Sequence, residues 1–148
     1  AASAQAGAIS VKCADEMAEK AYQFGKLIGI SFQIKDDIFD YYSSDVLGKP
    51  TGNDMREGKL TLPALYVLNT LKDPSMIDLA LKIRALEASD EEISHFIAYI
   101  KENGGIDYAT KVMKEYRNKA LDVLPESISE ELKSALTSFI DYVIERNK

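Results

Sequence analysis

The chain has 148 residues, of which 46% are hydrophobic, and a formal net charge of −6. This length and apolar content suffice for one domain with a real core, and the negative charge argues against nonspecific nucleic-acid binding. No apolar run approaches the ~20 residues that span a bilayer, so no transmembrane segment is predicted. The single cysteine, Cys13, excludes an internal disulfide and fits a reducing, cytoplasmic compartment. We expect its thiol to be buried.

The hydrophobic pattern predicts an all-α fold. The longest helix is expected from about residue 14 to 43, and others at about 62–72, 75–87, 90–103, 105–123 and 128–146. The sequences after Ser89 and Ser127 resemble helix starts, and the lone His95 is expected at a helix surface or core edge. Three apolar stripes at helical spacing predict core packing: Ile93, Phe96, Ile97 and Ile100; Tyr108, Val112 and Tyr116; Leu132, Leu136, Phe139, Ile140 and Val143.

Three carboxylates lie close together near the end of the longest predicted helix: Asp36, Asp37 and Asp40. Residues four apart share a helix face, so Asp36 and Asp40 point the same way, and Asp37 lies roughly 100° around the helix. Like charges at this spacing destabilise a helix by a few tenths of a kcal/mol per pair, a cost that a divalent cation would remove. Oxygen-only ligands favour Mg²⁺. A solvated acidic patch is the simpler alternative.

The residues before these carboxylates argue against a simple acidic surface. They are largely apolar, and Gly25, Gly29 and Gln33 continue the stripe of Asp36 and Asp40. Glycine inside a helix costs up to about 1 kcal/mol relative to alanine, so two on one stripe predict that another helix or a ligand packs closely there. Helix packing alone would explain the glycines, but it would not explain the polar residues that follow them.

A segment rich in glycine, lysine and proline follows the acidic helix. Gly-Lys occurs twice in it, ending at Lys49 and Lys59, and lysine is a compact charge suited to phosphate. The spacing differs from that of a Walker loop. A new helix is predicted after it, with Thr61 as N-cap and Pro63 in the first turn. An ordinary solvated connection is the alternative, but carboxylates followed by lysines suit a metal-bound diphosphate.

Together these segments resemble the second aspartate-rich region of the all-trans polyprenyl diphosphate synthases. Three linked motifs in one order carry the resemblance: residues 29–40, which end in Asp-Asp-Ile-Phe-Asp, residues 48–54, and residues 58–63, which are Gly-Lys-Leu-Thr-Leu-Pro. The family fold is the isoprenoid synthase helical bundle, so the chain is expected to form its C-terminal portion. Residues 1–148 would be one helical region, the second half of a longer domain.

The resemblance implies a Mg²⁺-dependent prenyl transfer. Members of the family join an allylic prenyl diphosphate to isopentenyl diphosphate, and metal ions and lysines stabilise the charge of the departing diphosphate. By resemblance, Asp36 is the direct Mg²⁺ ligand. Asp37 and Asp40 would hold metal-bound water or complete the site, and Asp54 would support the metal-water shell.

The resemblance also gives roles to residues outside the carboxylate cluster. Lys49 and Lys59 match the lysines that reach the diphosphate, and Gln33 matches a glutamine beside the diphosphate and the reacting carbon. Lys49 and Gln33 are therefore the predicted catalytic residues. Lys35 points away from the carboxylate stripe and is given no role.

Other parts of the family pattern have no match in this chain. They are the first aspartate-rich motif and the Gly-Gly-Lys-Arg-like segment for isopentenyl diphosphate. The run from Asp90 to Glu92 follows a serine and is predicted to be the acidic first turn of a helix. The chain alone is therefore expected to be inactive and to associate through an exposed apolar face. The intact protein is expected to be a homodimer, as is typical of the family.

Two other functions stay open. A non-catalytic binding or assembly subunit would keep the fold and one diphosphate site, and a terpene-cyclising or phosphohydrolase relative would also place Mg²⁺ on a helical carboxylate cluster. The Gly-Lys-Pro and Gly-Lys-Leu-Thr-Leu-Pro segments favour the prenyl-transferring enzyme. The length of the prenyl product is not determined by these residues.

Overall fold

A computed structural model describes residues 1–42 and 51–145 of the chain. These described residues form eight α-helices, which confirms the all-α fold: α1 (Ala2–Ser10), α2 (Asp15–Phe39), α3 (Asn53–Arg56), α4 (Leu62–Leu71), α5 (Pro74–Arg84), α6 (Asp90–Glu102), α7 (Gly105–Asp122) and α8 (Glu130–Glu145). None of these helices is both long and apolar enough to span a membrane.

The helix that carries the carboxylates ends earlier than predicted. α2 stops at Phe39, where the Tyr41 N–H bonds to the Ile38 carbonyl at 3.1 Å and the Tyr42 N–H to the Phe39 carbonyl at 3.0 Å. These bonds to the third preceding residue close a turn instead of another helical turn. The last residue predicted in this helix, Ser43, lies outside the described residues. Two short helices, α1 and α3, were not predicted.

The helix starts follow the capping rules only in part. At α6 the Ser89 hydroxyl accepts the Glu92 N–H and the Glu92 carboxylate accepts the Ser89 N–H, which forms a complete capping box. At α4, Thr61 occupies the N-cap position and Pro63 lies in the first turn, as predicted, but the Thr61 side chain makes no capping hydrogen bond. The N-cap of α8 is Ser129, whose hydroxyl accepts the Leu132 N–H at 3.2 Å.

The described contacts divide the chain into two compact units, and the unit Ile34–Lys111 contains the larger buried cluster. The predicted stripe of α6 is entirely buried in this cluster, and His95, on the opposite side of α6, is exposed as predicted. The core residues come from four helices and from the turn after α2: Tyr41, Met55, Ala64, Val67, Met76, Ala80, Ile83, Ile93, Phe96, Ile97 and Ile100.

The other unit comprises Ala1–Gln33 and Val112–Lys148. The buried Ser31 hydroxyl donates to the Met113 carbonyl at 3.0 Å, which ties α2 to α7. Arg117 holds both carboxylate oxygens of Asp141, with Nη2 at 2.7 Å from Oδ1 and 2.9 Å from Oδ2. A bidentate pair of this kind fixes the register of α7 against α8.

Several predictions of burial in this unit are wrong. Cys13 is partly exposed, because it lies in the link between α1 and α2. Leu132 and Phe139 on α8 are 51% and 58% exposed, although Ile140 is fully buried. The predicted stripe of α7, a helix that contributes to both units, is only half-buried, and the buried positions of that helix are Gly105, Ala109, Met113 and Ala120. The narrower buried face reflects how much of each helix is covered, which periodicity alone does not define.

The two helical glycines of α2 differ. A Cβ on Gly25 would lie 3.0 Å from the Ala1 Cα and from the Ala4 Cβ, so α1 packs closely there. A Cβ on Gly29 would meet no described atom within 4 Å. Close helix packing is therefore confirmed at Gly25, whereas a ligand beside Gly29 stays a prediction.

Candidate metal and diphosphate site

The end of α2 concentrates negative charge where a helix tolerates it least. Asp36 and Asp37 lie in its last turn and Asp40 directly after it, all half-buried, and the last turn contains no basic residue. The C-terminal end of a helix carries a partial negative charge that favours cations and disfavours carboxylates. The position of these residues is therefore unfavourable unless another group compensates for their charge.

Asp40 accepts hydrogen bonds from the start of α3. Its Oδ1 accepts the Asn53 N–H at 2.9 Å, and its Oδ2 accepts the Asp54 N–H at 3.0 Å. Its main-chain carbonyl accepts the Gly52 N–H at 2.8 Å. Gly52 is the N-cap of α3 and has no side chain to satisfy these amides, so Asp40 supplies the acceptors that an N-cap side chain normally provides.

These bonds bring Asp54 to the acidic end of α2. Burial raises the pKa of the Asp54 carboxyl, and the charges of Asp40 and then Asp37 raise it further. Lys59 acts in the opposite direction, and Glu57 makes a small additional contribution that raises the pKa. Asp37, Asp40 and Asp54 therefore form one electrostatically coupled group, although Asp54 is distant from the other two in sequence.

Lys59 is the described lysine of the two Gly-Lys pairs. Its N–H bonds to the Asp54 carbonyl at 2.8 Å, and its ammonium pairs with Glu57 on the exposed surface. Glu57 raises the pKa of Lys59, and Asp54 adds a smaller increase. The immediate partner of the Lys59 ammonium is therefore Glu57, and the association of Lys59 with Asp36 and Asp40 stays a prediction.

The remaining predicted residues are placed differently. Lys49 lies outside the described residues. Gln33 is exposed on α2 and belongs to the unit Ala1–Gln33 with Val112–Lys148, whereas the carboxylates belong to the other unit. The Lys35 ammonium lies 4.6 Å from the centroid of the Phe39 ring.

Sequence reasoning missed Arg56 as a structural partner. Its guanidinium donates to the Thr51 carbonyl and, at 2.7 Å, to Asp90 Oδ1 at the start of α6. It therefore links the residues before α3 to another helix. An arginine two residues after a predicted site residue, and an aspartate some thirty residues later, give no local pattern that pairs them.

Tyr41 was missed as well. It is 1% exposed, and its hydroxyl makes no hydrogen bond of standard geometry to the described part of the chain. Burial raises the pKa of this phenol well above its usual range, and the Thr61 side chain and the Ala64 backbone lie near enough to oppose that shift. The phenol is therefore neutral at physiological pH, and it packs between the acidic turn and the start of α4.

The carboxylates suit Mg²⁺ chemically, since all their donors are oxygens and their mutual repulsion raises the pKa of Asp54. Among the described residues, no three acidic, histidine or cysteine side chains converge closely enough to surround an ion. Mg²⁺ commonly takes one or two carboxylates and completes its shell with water and substrate phosphate. The residues present fit that manner of binding.

Comparison with known proteins defines the family. A family model described as Polyprenyl synthetase matches residues 1–100. The chain belongs to this family. It is 37% identical over 148 residues to "Heptaprenyl diphosphate synthase component 2" of Bacillus subtilis, covering 99% of this chain and 41% of that protein. The chain thus spans less than half the length of this curated relative.

Solved structures of the family share the fold. A geranylgeranyl pyrophosphate synthase from Bacteroides thetaiotaomicron is 46% identical with a TM-score of 0.90, covering 97% of this chain and 46% of that one. A polyprenyl synthase from Caulobacter crescentus, in complex with calcium and isoprenyl diphosphate, is 27% identical with a TM-score of 0.84, covering 97% of this chain and 44% of that one. The predicted family and the isoprenoid synthase fold are both confirmed.

Proposed function

We propose that the intact protein is a trans-polyprenyl diphosphate synthase, which condenses an allylic prenyl diphosphate with isopentenyl diphosphate. The observation that carries this proposal is the junction at Asp40. Its hydrogen bonds join the acidic end of α2 to Asp54, and Lys59 is bonded to Asp54 in turn. This linkage supports a site in which carboxylates would hold a cation and a lysine would bind a phosphate.

The main barrier to the reaction is the negative charge that develops on the departing diphosphate. The allylic carbon–oxygen bond breaks, and the diphosphate departs with the electron pair. The isopentenyl double bond attacks the allylic carbon, and loss of a proton restores an alkene. Bound Mg²⁺ would neutralise charge on the departing diphosphate. Lys59, together with Lys49, would donate to the diphosphate oxygens, where a preorganised positive charge lowers the barrier.

The carboxylates would have different roles in binding Mg²⁺. Asp36 would ligate Mg²⁺ directly, and Asp37, Asp40 and Asp54 would hold the metal-bound water or complete the site. Gln33 would lie beside the diphosphate and the reacting carbon. The calcium and isoprenyl diphosphate bound to the Caulobacter crescentus relative support a divalent cation and a prenyl diphosphate as ligands of this family.

The decisive experiment measures incorporation of labelled isopentenyl diphosphate by the intact protein with Mg²⁺ and an allylic diphosphate. Asp36→Ala and Lys49→Ala are each expected to lower turnover about 10²–10³-fold, as loss of one preorganised charge contact does. Asp107→Ala and Lys114→Ala, at exposed positions of α7, are matched controls that should retain activity. Normal turnover in Asp36→Ala would refute the metal assignment.

A second candidate is a diphosphate-binding subunit that works with a different partner. The name "component 2" of the Bacillus subtilis relative supports an assembly of more than one kind of subunit, whereas the proposed homodimer requires only this protein. Light scattering of the intact protein separates a dimer from a monomer. Binding of Mg²⁺ and diphosphate in calorimetry without any turnover would favour the subunit.

A further inference from the structure

Both carboxylate oxygens of Asp40 accept hydrogen bonds from the first residues of α3. The donors are the main-chain amides of Asn53 and Asp54, at 2.9 and 3.0 Å. Amide bonds to a carboxylate are charge-assisted and stronger than those between neutral groups. An oxygen that gave up such a bond to bind a cation would leave a helix-terminal amide without its acceptor.

The same residue also closes the connection between α2 and α3. Its carbonyl accepts the Gly52 N–H at 2.8 Å. The start of α3 is therefore held against Asp40, although the two are about a dozen residues apart in sequence. Closing a connection of this length costs conformational entropy, which the three hydrogen bonds to Asp40 offset. Gly52 has φ +78° and belongs to this closure.

Arg56 provides an independent second attachment. Its guanidinium bonds to the Thr51 carbonyl, before α3, and to Asp90, at the start of α6. The short helix that carries Asp54 is therefore attached to α2 at its first turn and to α6 at its last residue. This arrangement fixes the position of Asp54, and the bonds to Asp40 are the part of it that reaches the carboxylate cluster.

We propose that Asp40 is a positioning residue: it fixes Gly52 and the start of α3, which carries Asp54, instead of ligating Mg²⁺ directly. This inference rests on the proposed function and refines the role of one carboxylate in it. Asp36 remains the proposed direct ligand. Asp36 and Asp40 share a helix face, but Asp36 would bind the ion whereas Asp40 accepts backbone amides.

The test compares Asp40→Asn with Asp36→Asn in the intact protein, with the exposed Asp78→Asn of α5 as control. An asparagine can accept only one of the two amides, since its NH₂ group is a donor. Asp40→Asn should therefore accelerate hydrogen exchange of the Asn53 and Asp54 amides about tenfold or more, the change expected for one charge-assisted bond. Asp36→Asn and Asp78→Asn should leave that exchange unchanged.

Kinetics supply the second measurement. Asp40→Asn should raise the KM for the allylic diphosphate and leave the Mg²⁺ concentration for half-maximal activity unchanged, whereas Asp36→Asn should raise that Mg²⁺ concentration. A Mg²⁺ requirement shifted equally by both variants would overturn the positioning role. If Asp36→Asn leaves the Mg²⁺ requirement unchanged while Asp40→Asn accelerates exchange, the metal proposal fails and the positioning role stands.

A measurement on the unmodified protein keeps the proposal falsifiable even if Asp40→Asn fails to fold. Hydrogen exchange of the Asn53 and Asp54 amides is followed with and without Mg²⁺ and inorganic diphosphate. Unchanged or stronger protection supports Asp40 as the acceptor of these amides in the metal-bound state. Loss of protection on adding Mg²⁺ and diphosphate would show that the ion takes the Asp40 oxygens, and it would overturn the proposal.

Discussion

Two acidic runs lie in the unit Ile34–Lys111, one at the end of α2 and one at the start of α6. In the second run, each of two carboxylates has a cationic partner: Asp90 pairs with Arg56 at 2.7 Å and Glu92 pairs with Lys82. The run also lies at a helix N-terminus, where negative charge is stabilised. Its charge is therefore compensated within the protein.

The first run differs in the helix end at which it lies and in the hydrogen-bond donors of Asp40. It lies at a helix C-terminus, and the described hydrogen bonds of Asp40 come from neutral amides that bring a third carboxylate, Asp54, close by. The pKa of Asp54 is raised, whereas the pKa of Glu92 is lowered, first by its bond to Lys82. The two acidic runs therefore differ in helix polarity and in the direction in which the pKa of a neighbouring carboxyl is shifted.

The largest expected effect on stability comes from substituting Gly52, which lies between the first acidic run and α3. Gly52→Ala would place a Cβ 2.8 Å from the Ile97 Cδ1 and 2.9 Å from the Ile93 Cγ2, at φ +78°. Strain and overpacking together should lower the free energy of unfolding by about 2–4 kcal/mol. Gly104→Ala, also at φ +78° but with no described atom within 4 Å, should lose only about 1 kcal/mol. Urea denaturation measures both, and equal losses would remove the packing explanation.

A smaller effect is expected at the second run. Ser89→Ala removes the hydroxyl that accepts the Glu92 N–H and should lower the free energy of unfolding by about 1 kcal/mol. Ser134→Ala, at an exposed position within α8, is the matched control and should change stability little. If both variants unfold alike, the capping box does not stabilise α6.

The second run should also respond to pH. The pKa of Glu92 lies below its ordinary value of 4.5, because Lys82 and the Ser89 amide favour the carboxylate. Its stabilisation is therefore fully present above the unfolded-state pKa and is lost as the pH falls through the folded-state pKa. Glu92→Gln should remove this contribution, so its acid-side stability profile should be flatter than that of the unmodified protein. Thermal melts from neutral pH to pH 3 provide the measurement.

The smallest effect should have the opposite sign. Asp54→Asn removes a carboxylate disfavoured by burial and by the charges of Asp40 and Asp37, and it keeps the amide that bonds to Asp40. Without Mg²⁺ it should raise the free energy of unfolding by a few tenths of a kcal/mol, since solvent screens partly exposed charges. Added Mg²⁺ should then stabilise the unmodified protein more than the variant. Destabilisation of Asp54→Asn without Mg²⁺ would contradict the repulsion argument.

Much of this molecule follows from local sequence. The periodicity of Ile93, Phe96, Ile97 and Ile100 predicts the buried face of α6, and serine followed by acidic residues predicts its start, because both depend on neighbours within one helix. The acidic and Gly-Lys motifs likewise predict the family, since motif order and spacing belong to the chain itself. These motifs also predicted the following residues as part of the site: Asp36, Asp37, Asp40, Asp54 and Lys59.

The partners of these residues depend on tertiary structure. Sequence placed Asp40 on the face of Asp36 as a metal residue, but the fold returns the chain so that two amides of α3 occupy its oxygens. The fold also pairs Arg56 with Asp90. Leu132 and Phe139 are exposed, although their periodic spacing predicts burial. Periodicity defines which side of a helix is apolar, whereas hydrogen-bond partners and covered faces depend on where distant segments come to lie.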